Sequence, residues 1–181
     1  MDIKNYTTVV LTSYSDSSTI SENSIPVMIC SFEKHLKKFE PRPNVVEKIK
    51  TAMESKKPSI LSFFAEKQYL AVVNTAQELE KWRIAGAQLC KKWRSEKIYN
   101  THLVGLGDLE PKIKYAFLEG IALTSYKFDK YKKDAKTEIT KVYVSDTSIS
   151  NDELSQIIAV TDAVALTKTM VNEPVKIGRA S

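Results

Sequence analysis

Short apolar runs alternate with well-capped helical stripes along the chain, and no feature limits its possible folds more. The runs cover residues 5–14, around Val9-Val10-Leu11, then 25–32, 59–65, 68–74, 99–106 and 138–145. Between them, residues 44–55, 79–96, 109–126 and 150–171 place apolar side chains at helical spacing. Strands alternating with helices predict an α/β fold, a mixed sheet with helices on both faces. The runs at 59–65 and 68–74, separated by Glu66-Lys67, predict a hairpin, so the sheet is not all parallel. In 138–145, Thr140, Val142 and Val144 alternate with Lys141 and Tyr143, the period expected of a half-exposed edge strand.

Punctuation residues set the boundaries. Asn44 is placed to cap the first helix, whose stripe is Val45, Val46, Ile49, Ala52 and Met53, and Lys57-Pro58 stops it. Thr75-Ala76-Gln77-Glu78 matches a capping box before a helix to Glu96. That helix is expected to bury Leu79, Trp82, Gly86, Leu89, Cys90 and Trp93, with Gly86 allowing close approach to a sheet. Asp108 is expected to cap the next helix, lined by Ile113, Ala116, Phe117, Gly120, Ile121 and Thr124. Ser150-Asn151-Asp152-Glu153 is a second capping box, with Ile149 and Leu154 at the positions of a hydrophobic staple. The last helix is apolar over a wide arc that includes Ile157, Val160, Thr161, Val164 and Leu166. Such a helix needs contacts on more than one side.

Composition narrows the chemistry. With 181 residues, 43% hydrophobic and 27% charged, the chain suits one globular domain with an appended element, needing no disulfide staple. No apolar stretch approaches the roughly 18 residues of a membrane span, and no secretory leader is visible. Cys30 and Cys90 are expected to be reduced, buried thiols, and with only His35 and His102 besides them no zinc knuckle can be drawn. A cryptic cysteine-dependent enzyme is the third reading. His35 lies in a charged stretch and is expected to be solvated, whereas His102 is expected to be partly buried and satisfied in a strand. Asp129 and Asp134, or Glu78 and Glu80, form no carboxylate pair placed for acid–base work.

Two segments invite a nucleotide reading. Gly105-Leu106-Gly107-Asp108 sits between a strand and a helix, where α/β folds bind phosphate, yet the third glycine is missing and Asp108 and Glu110 repel anions, so a tight turn is favoured. Residues 112–136 carry seven lysines against Glu119, Asp129 and Asp134, which is +4 of the chain's +5. Tyr115, Phe117, Tyr126, Phe128 and Tyr131 are interleaved there, as in a single-strand-binding stripe. The stretch has no arginine, and aromatics packed on a core beneath lysine stems are the favoured reading.

Residues 118–132 resemble the leucine aminopeptidase (cytosol aminopeptidase) family: Leu118-Glu119-Gly120-Ile121 opens the segment and Tyr126-Lys127-Phe128-Asp129-Lys130-Tyr131-Lys132 ends it. Residues 163–174 resemble the family's helix ending in Asn-Glu-Pro, here Asn172-Glu173-Pro174. The order and spacing of the two segments also agree with the family. Lys168-Thr169 stands where the family often has Arg-Asp.

The resemblance implies that residues 1–149 are a macrodomain-like three-layer α/β domain, the family's non-catalytic N-terminal domain. Residues 150–174 would be the linker helix, with Leu154, Ile158, Ala165, Met170, Asn172, Glu173 and Pro174 at the interface. Residues 175–181 would be a tail, either a vector scar or an early terminus. The family's Gly-Lys-Gly and Asn-Thr-Asp-Ala-Glu-Gly-Arg segments have no counterpart here, so no catalytic or metal-binding residue is carried over. The resemblance therefore implies a catalytically silent chain whose parent is a cytoplasmic hexamer. That parent would remove N-terminal amino acids from peptides with two divalent metals, zinc or manganese, held by the catalytic part. The alternative is a stand-alone nucleotide- or nucleic-acid-binding module.

Overall fold

The computed structural model describes residues 8–13, 23–39, 43–64, 69–128, 139–144 and 149–172. The strands are β1 (Val9–Ser13), β2 (Ile25–Cys30), β3 (Ser59–Phe63), β4 (Tyr69–Val73), β5 (Asn100–Val104) and β6 (Thr140–Val144). The helices are α1 (Pro43–Glu54), α2 (Leu79–Glu96), α3 (Pro111–Ser125) and α4 (Asn151–Asn172), with 3-10 turns at Glu33–Phe39 and Leu106–Asp108. The sheet order is β1-β6-β5-β2-β4-β3. All neighbours pair in parallel except β3 and β4, the expected hairpin. Its turn lies outside the described residues.

Strand alternation splits the core in two. Val27, Ile29, Leu70 and Val72 point to one side with Leu103, Val142 and Val144, where α2, α3 and α4 cover them. Met28, Cys30, Ala71 and Val73 point to the other side, against Leu36 and the Ile49 stripe of α1. The expected three-layer mixed sheet flanked by helices is therefore present, although among the described residues α1 covers only the β2–β4–β3 half of its face.

That half coverage corrects the reading of 138–145. β6 is interior, between β1 and β5, and the edges are β1 and β3. Alternation reports that one face is open, as exposed Lys141 and half-buried Tyr143 show, and carries no information about strand neighbours.

Three helix starts also differ. α1 begins at Pro43, so Asn44 lies inside it. α2 begins at Leu79 with no side-chain cap, and Leu79 itself is exposed. Instead of boxing Thr75 with Glu78, the approach to α2 is tied by Trp82 Nε1 donating to the Ala76 carbonyl at 2.9 Å. Asn74 Oδ1 also accepts from Ala76 N at 3.1 Å. α3 begins at Pro111, and Asp108 bonds elsewhere. The Ser150–Glu153 box forms as expected: Ser150 N donates to Glu153 Oε2 at 2.8 Å and Glu153 N donates to Ser150 Oγ at 3.2 Å. Ile149 and Leu154 are both buried in the core beside it.

Gly86 serves a different contact from the one expected. A methyl group there would strike the Phe117 carbonyl oxygen, and one at Gly120 would strike the Arg83 carbonyl oxygen. The two glycines let α2 and α3 approach backbone to backbone. Arg83 Nε donating to Glu119 Oε2 at 2.6 Å spans the same crossing. The close approach is thus helix to helix, not helix to sheet.

Candidate functional site

Two features could carry function: a cleft at the carboxyl ends of the central strands, and the outer side of α4. The cleft lies where the connections part. β2 leads through α1 to β3 on one side of the sheet, and β5 leads through α3 to β6 on the other. Ligands of open α/β sheets bind outside such a switch point. The cleft measures ≈ 140 Å³ and is lined by Ser31 and Phe32 after β2, Thr75 and Gln77 after β4, and Asp108 and Glu110 after β5. Trp82, Leu109 and Ile113 supply its apolar wall.

His35 does not line the cleft but bonds three residues that do. The expectation of a solvated histidine is wrong: His35 is 1% exposed. Its Nδ1 accepts from Ser31 N at 3.1 Å and from Phe32 N at 3.4 Å. Those bonds assign the ring proton to Nε2, which donates to Asp108 Oδ2 at 2.9 Å. Lys34 Nζ donates to Asp108 Oδ1 at 2.8 Å. The Lys34 bond is the main cause that holds the Asp108 carboxyl below its usual range; burial opposes it, and the His35 bond adds to the lowering. Asp108 lies 73 residues from His35, so sequence proximity gave no sign of the pair.

This arrangement decides what the cleft can bind. The two N–H groups at the end of β2 that could hold an anion are spent on His35 Nδ1. Asp108 and Glu110 add negative charge. Gly105 has φ 87, the left-handed geometry of a tight turn. Among the described residues the strand–helix junction is therefore a latch between the segments after β2 and β5, not a phosphate cradle.

The aromatics of residues 112–128 are engaged in the fold. Phe117 is fully buried edge-to-face with Trp82, at 5.9 Å between centroids. The Tyr115 hydroxyl donates to Glu153, and this bond, more than burial, pushes the phenol up to about 12. Tyr126 lies under Lys168 Nζ, 5.9 Å from its ring centre, and its hydroxyl bonds Thr169 Oγ1 at 3.0 Å. Asp129, Tyr131 and Asp134 lie outside the described residues. His102 is half-buried in β5 with Ser24 Oγ 3.0 Å from Nδ1. Cys30 and Cys90 are buried and in no disulfide, and burial pushes the Cys90 thiol up to about 11, away from nucleophilic use. No three His, Cys, Asp or Glu side chains converge among the described residues as a metal would require.

α4 presents two faces. Leu154, Thr161, Ala165 and Thr169 form the inner stripe and pack on α3 and β1. Ile158 is half-buried against the same core. Opposite lie Val160, Val164 and Val171, flanked by Leu166 and Met170, all exposed. The anticipated interface set is thus divided: Leu154, Ile158 and Ala165 hold α4 to its own domain, and Met170, 70% exposed, is on the outer side. Asn172 ends the helix, whereas Glu173, Pro174 and the tail 175–181 lie outside the described residues. By length and composition α4 also passes as a membrane span, contrary to the expectation of no such stretch. Its inner stripe is instead part of the domain core, and Asp162 and Lys168 interrupt its apolar length.

No family model matches the sequence. The "Probable cytosol aminopeptidase" of Aquifex aeolicus is 35% identical over 100 residues, covering 52% of this chain and 20% of that protein. The structure of a mutant tomato leucine aminopeptidase superposes with a TM-score of 0.62 at 13% identity, covering 94% of this chain and 40% of that one. The chain spans a fifth of the curated relative's length and two fifths of the solved structure's. The chain is thus similar in sequence to a cytosol aminopeptidase over about half its length, and similar in fold to a leucine aminopeptidase over nearly all of it.

Proposed function

We propose that this chain is the non-catalytic N-terminal domain of a cytoplasmic leucine-aminopeptidase-like hydrolase, which removes N-terminal residues from peptides. The observation that carries the reading is the second apolar face of α4, leading into the Asn172-Glu173-Pro174 motif. It suits a helix held by its own domain on one side and by a catalytic domain on the other. Leu154, Ile158 and Ala165 anchor the helix, while Met170 with Val160 and Val164 faces the partner. In this reading the two divalent metals, zinc or manganese, belong to the catalytic part. This chain contributes scaffolding, organisation of a homo-hexamer and control of access.

The nucleotide- or nucleic-acid-binding alternative finds less support, because the N–H donors after β2 are used internally and the aromatics are packed. The test is a chimera in which this chain replaces the matching segment of the Aquifex aeolicus relative. Retained assembly and leucyl-amide hydrolysis by the chimera, with no turnover by this chain alone under added zinc or manganese, is the expected result. Turnover by the isolated chain overturns the reading.

A further inference from the structure

We propose that the outer edge of β3 is an interaction surface, which pairs antiparallel with β3 of a second copy of this chain. The sheet ends in two edges, β1 and β3, and the fold treats them differently. β1 is closed by side chains of the helices beside it. Thr8 N, just before the strand, donates to Ser125 Oγ at 3.2 Å, and Thr8 Oγ1 donates to the Ser125 carbonyl at 2.7 Å. Ser13 N donates to Asn151 Oδ1 at 3.1 Å. β3 pairs only with β4, and among the described residues no group bonds the outer backbone of Ser59, Ile60, Leu61 or Ser62.

The β3 edge also lacks the devices that keep such strands apart. Edge strands are normally blunted by charge, proline, a bulge or a covering element. Lys57 and Pro58 stand before β3, but residues 59–64 read Ser-Ile-Leu-Ser-Phe-Phe, with no charge and no proline. The register with β4 runs unbroken from Ser59 opposite Val73 to Phe63 opposite Tyr69, so no bulge turns the strand aside. Alternate residues therefore direct N–H and C=O groups outward, where a further strand can take them.

The side chains select a copy of the same strand as the occupant. Ile60 packs on the α2 side of the sheet and Ser62 Oγ donates to Glu96 of α2, so alternation places Phe64 on that side too. Phe64 is 42% exposed. In an antiparallel pair about a two-fold axis at Ser62, Phe64 of each copy stands opposite Ile60 of the other, and Ser62 opposite Ser62. The exposed ring gains an aromatic–β-branched contact, twice in the symmetric pair, and no like charges meet within 59–64. One sheet then runs through both copies. A five-residue pairing falls short of the roughly 1,200 Å² of a stable interface, so the association is weak, with a Kd of about 0.1–1 mM.

β3 and α4 lie at opposite ends of the sheet, since α4 packs on α3 and β1. The contact does not depend on a catalytic partner, so its failure and the failure of the domain reading are told apart. The whole chain is followed by sedimentation equilibrium from about 10 µM to about 2 mM, a range that brackets the expected Kd. Spectra of ¹⁵N-labelled protein are recorded over the same range, and the closed edge, Val9–Ser13, serves as the internal control.

The expected result is a reversible monomer–dimer equilibrium, with concentration-dependent shifts of the residue 59–64 amides and none of the β1 amides. Phe64→Ser should weaken the dimer about tenfold, because the lost cross-strand contact occurs twice in it. Phe64 lies past the end of β3 and is exposed, so the variant is expected to keep the parent's far-UV spectrum. A monomer throughout the range overturns the proposal, as do shifts that map to α4 instead of β3, or a Phe64→Ser dimer as tight as the parent's.

Discussion

The α2–α3 crossing depends on two hydrogen atoms. Gly120 has the Arg83 Cα only 2.8 Å from where its Cβ would stand, and both obstacles are backbone, which no rotamer change can move aside. Gly120→Ala is expected to cost about 2–4 kcal/mol in urea unfolding, as overpacking plus a forced helix shift. A loss under about 0.5 kcal/mol would show that the helices are not locked there. His35 is the second such residue. His35→Ala strands the Ser31 and Phe32 N–H groups and should cost about 1–3 kcal/mol by the same measurement. Its partner Asp108 has a lowered carboxyl, chiefly through Lys34. The stability this gives is present above its ordinary value of 3.8 and is lost as pH falls below it. Asp108→Asn should therefore flatten the acid limb of the stability curve, and an unchanged limb would refute that role.

At the scale of elements, the start of α4 is the best-built junction. Ser150 and Glu153 satisfy one another's backbone, and Tyr115 from α3 donates to the same carboxylate. Ser150→Ala should cost about 1 kcal/mol of thermal or urea stability. Tyr115 and Glu153 share one bond, which acts at both ends of the pH scale. Glu153 is lowered, chiefly by Tyr115, so its contribution is lost as pH drops below 4.5. Tyr115 is raised, so its contribution is present below pH 10.0 and disappears as pH rises toward about 12. Tyr115→Phe should remove the alkaline loss specific to that window. A variant whose stability between pH 10 and 12 tracks the parent would count against it.

At the scale of the molecule, the two faces of α4 make opposite demands. Ala165 is 2% exposed and Val160 60% exposed on the same helix. Ala165→Asp buries an unpaired charge and should unfold the domain or cost more than about 3 kcal/mol. Val160→Asp should stay within about 0.5 kcal/mol of the parent in thermal unfolding while weakening assembly in the chimera described above. Equal destabilisation by both would mean that α4 has no free face. The same asymmetry explains why the helix reads as apolar all round: one face meets the domain core, the other is apolar and exposed, and the sequence superimposes them.

Element type and order follow from the sequence, because local propensity, capping residues and apolar period are written in consecutive residues. The hairpin, the Ser150–Glu153 box, the buried stripes of α2 and α3 and the family resemblance are all of this kind. What the tertiary structure decided depends on residues far apart in the chain. β6 became interior because alternation specifies faces and not neighbours. His35 became buried because Asp108, contributed by the end of a different strand, meets its ring. Gly86 met a helix because Gly120 removes the matching obstacle on α3. The α4 arc divided into an anchor and an open face because only the inner part finds the sheet. Each of these outcomes rests on a contact between separate elements, and a one-dimensional pattern does not encode which elements meet.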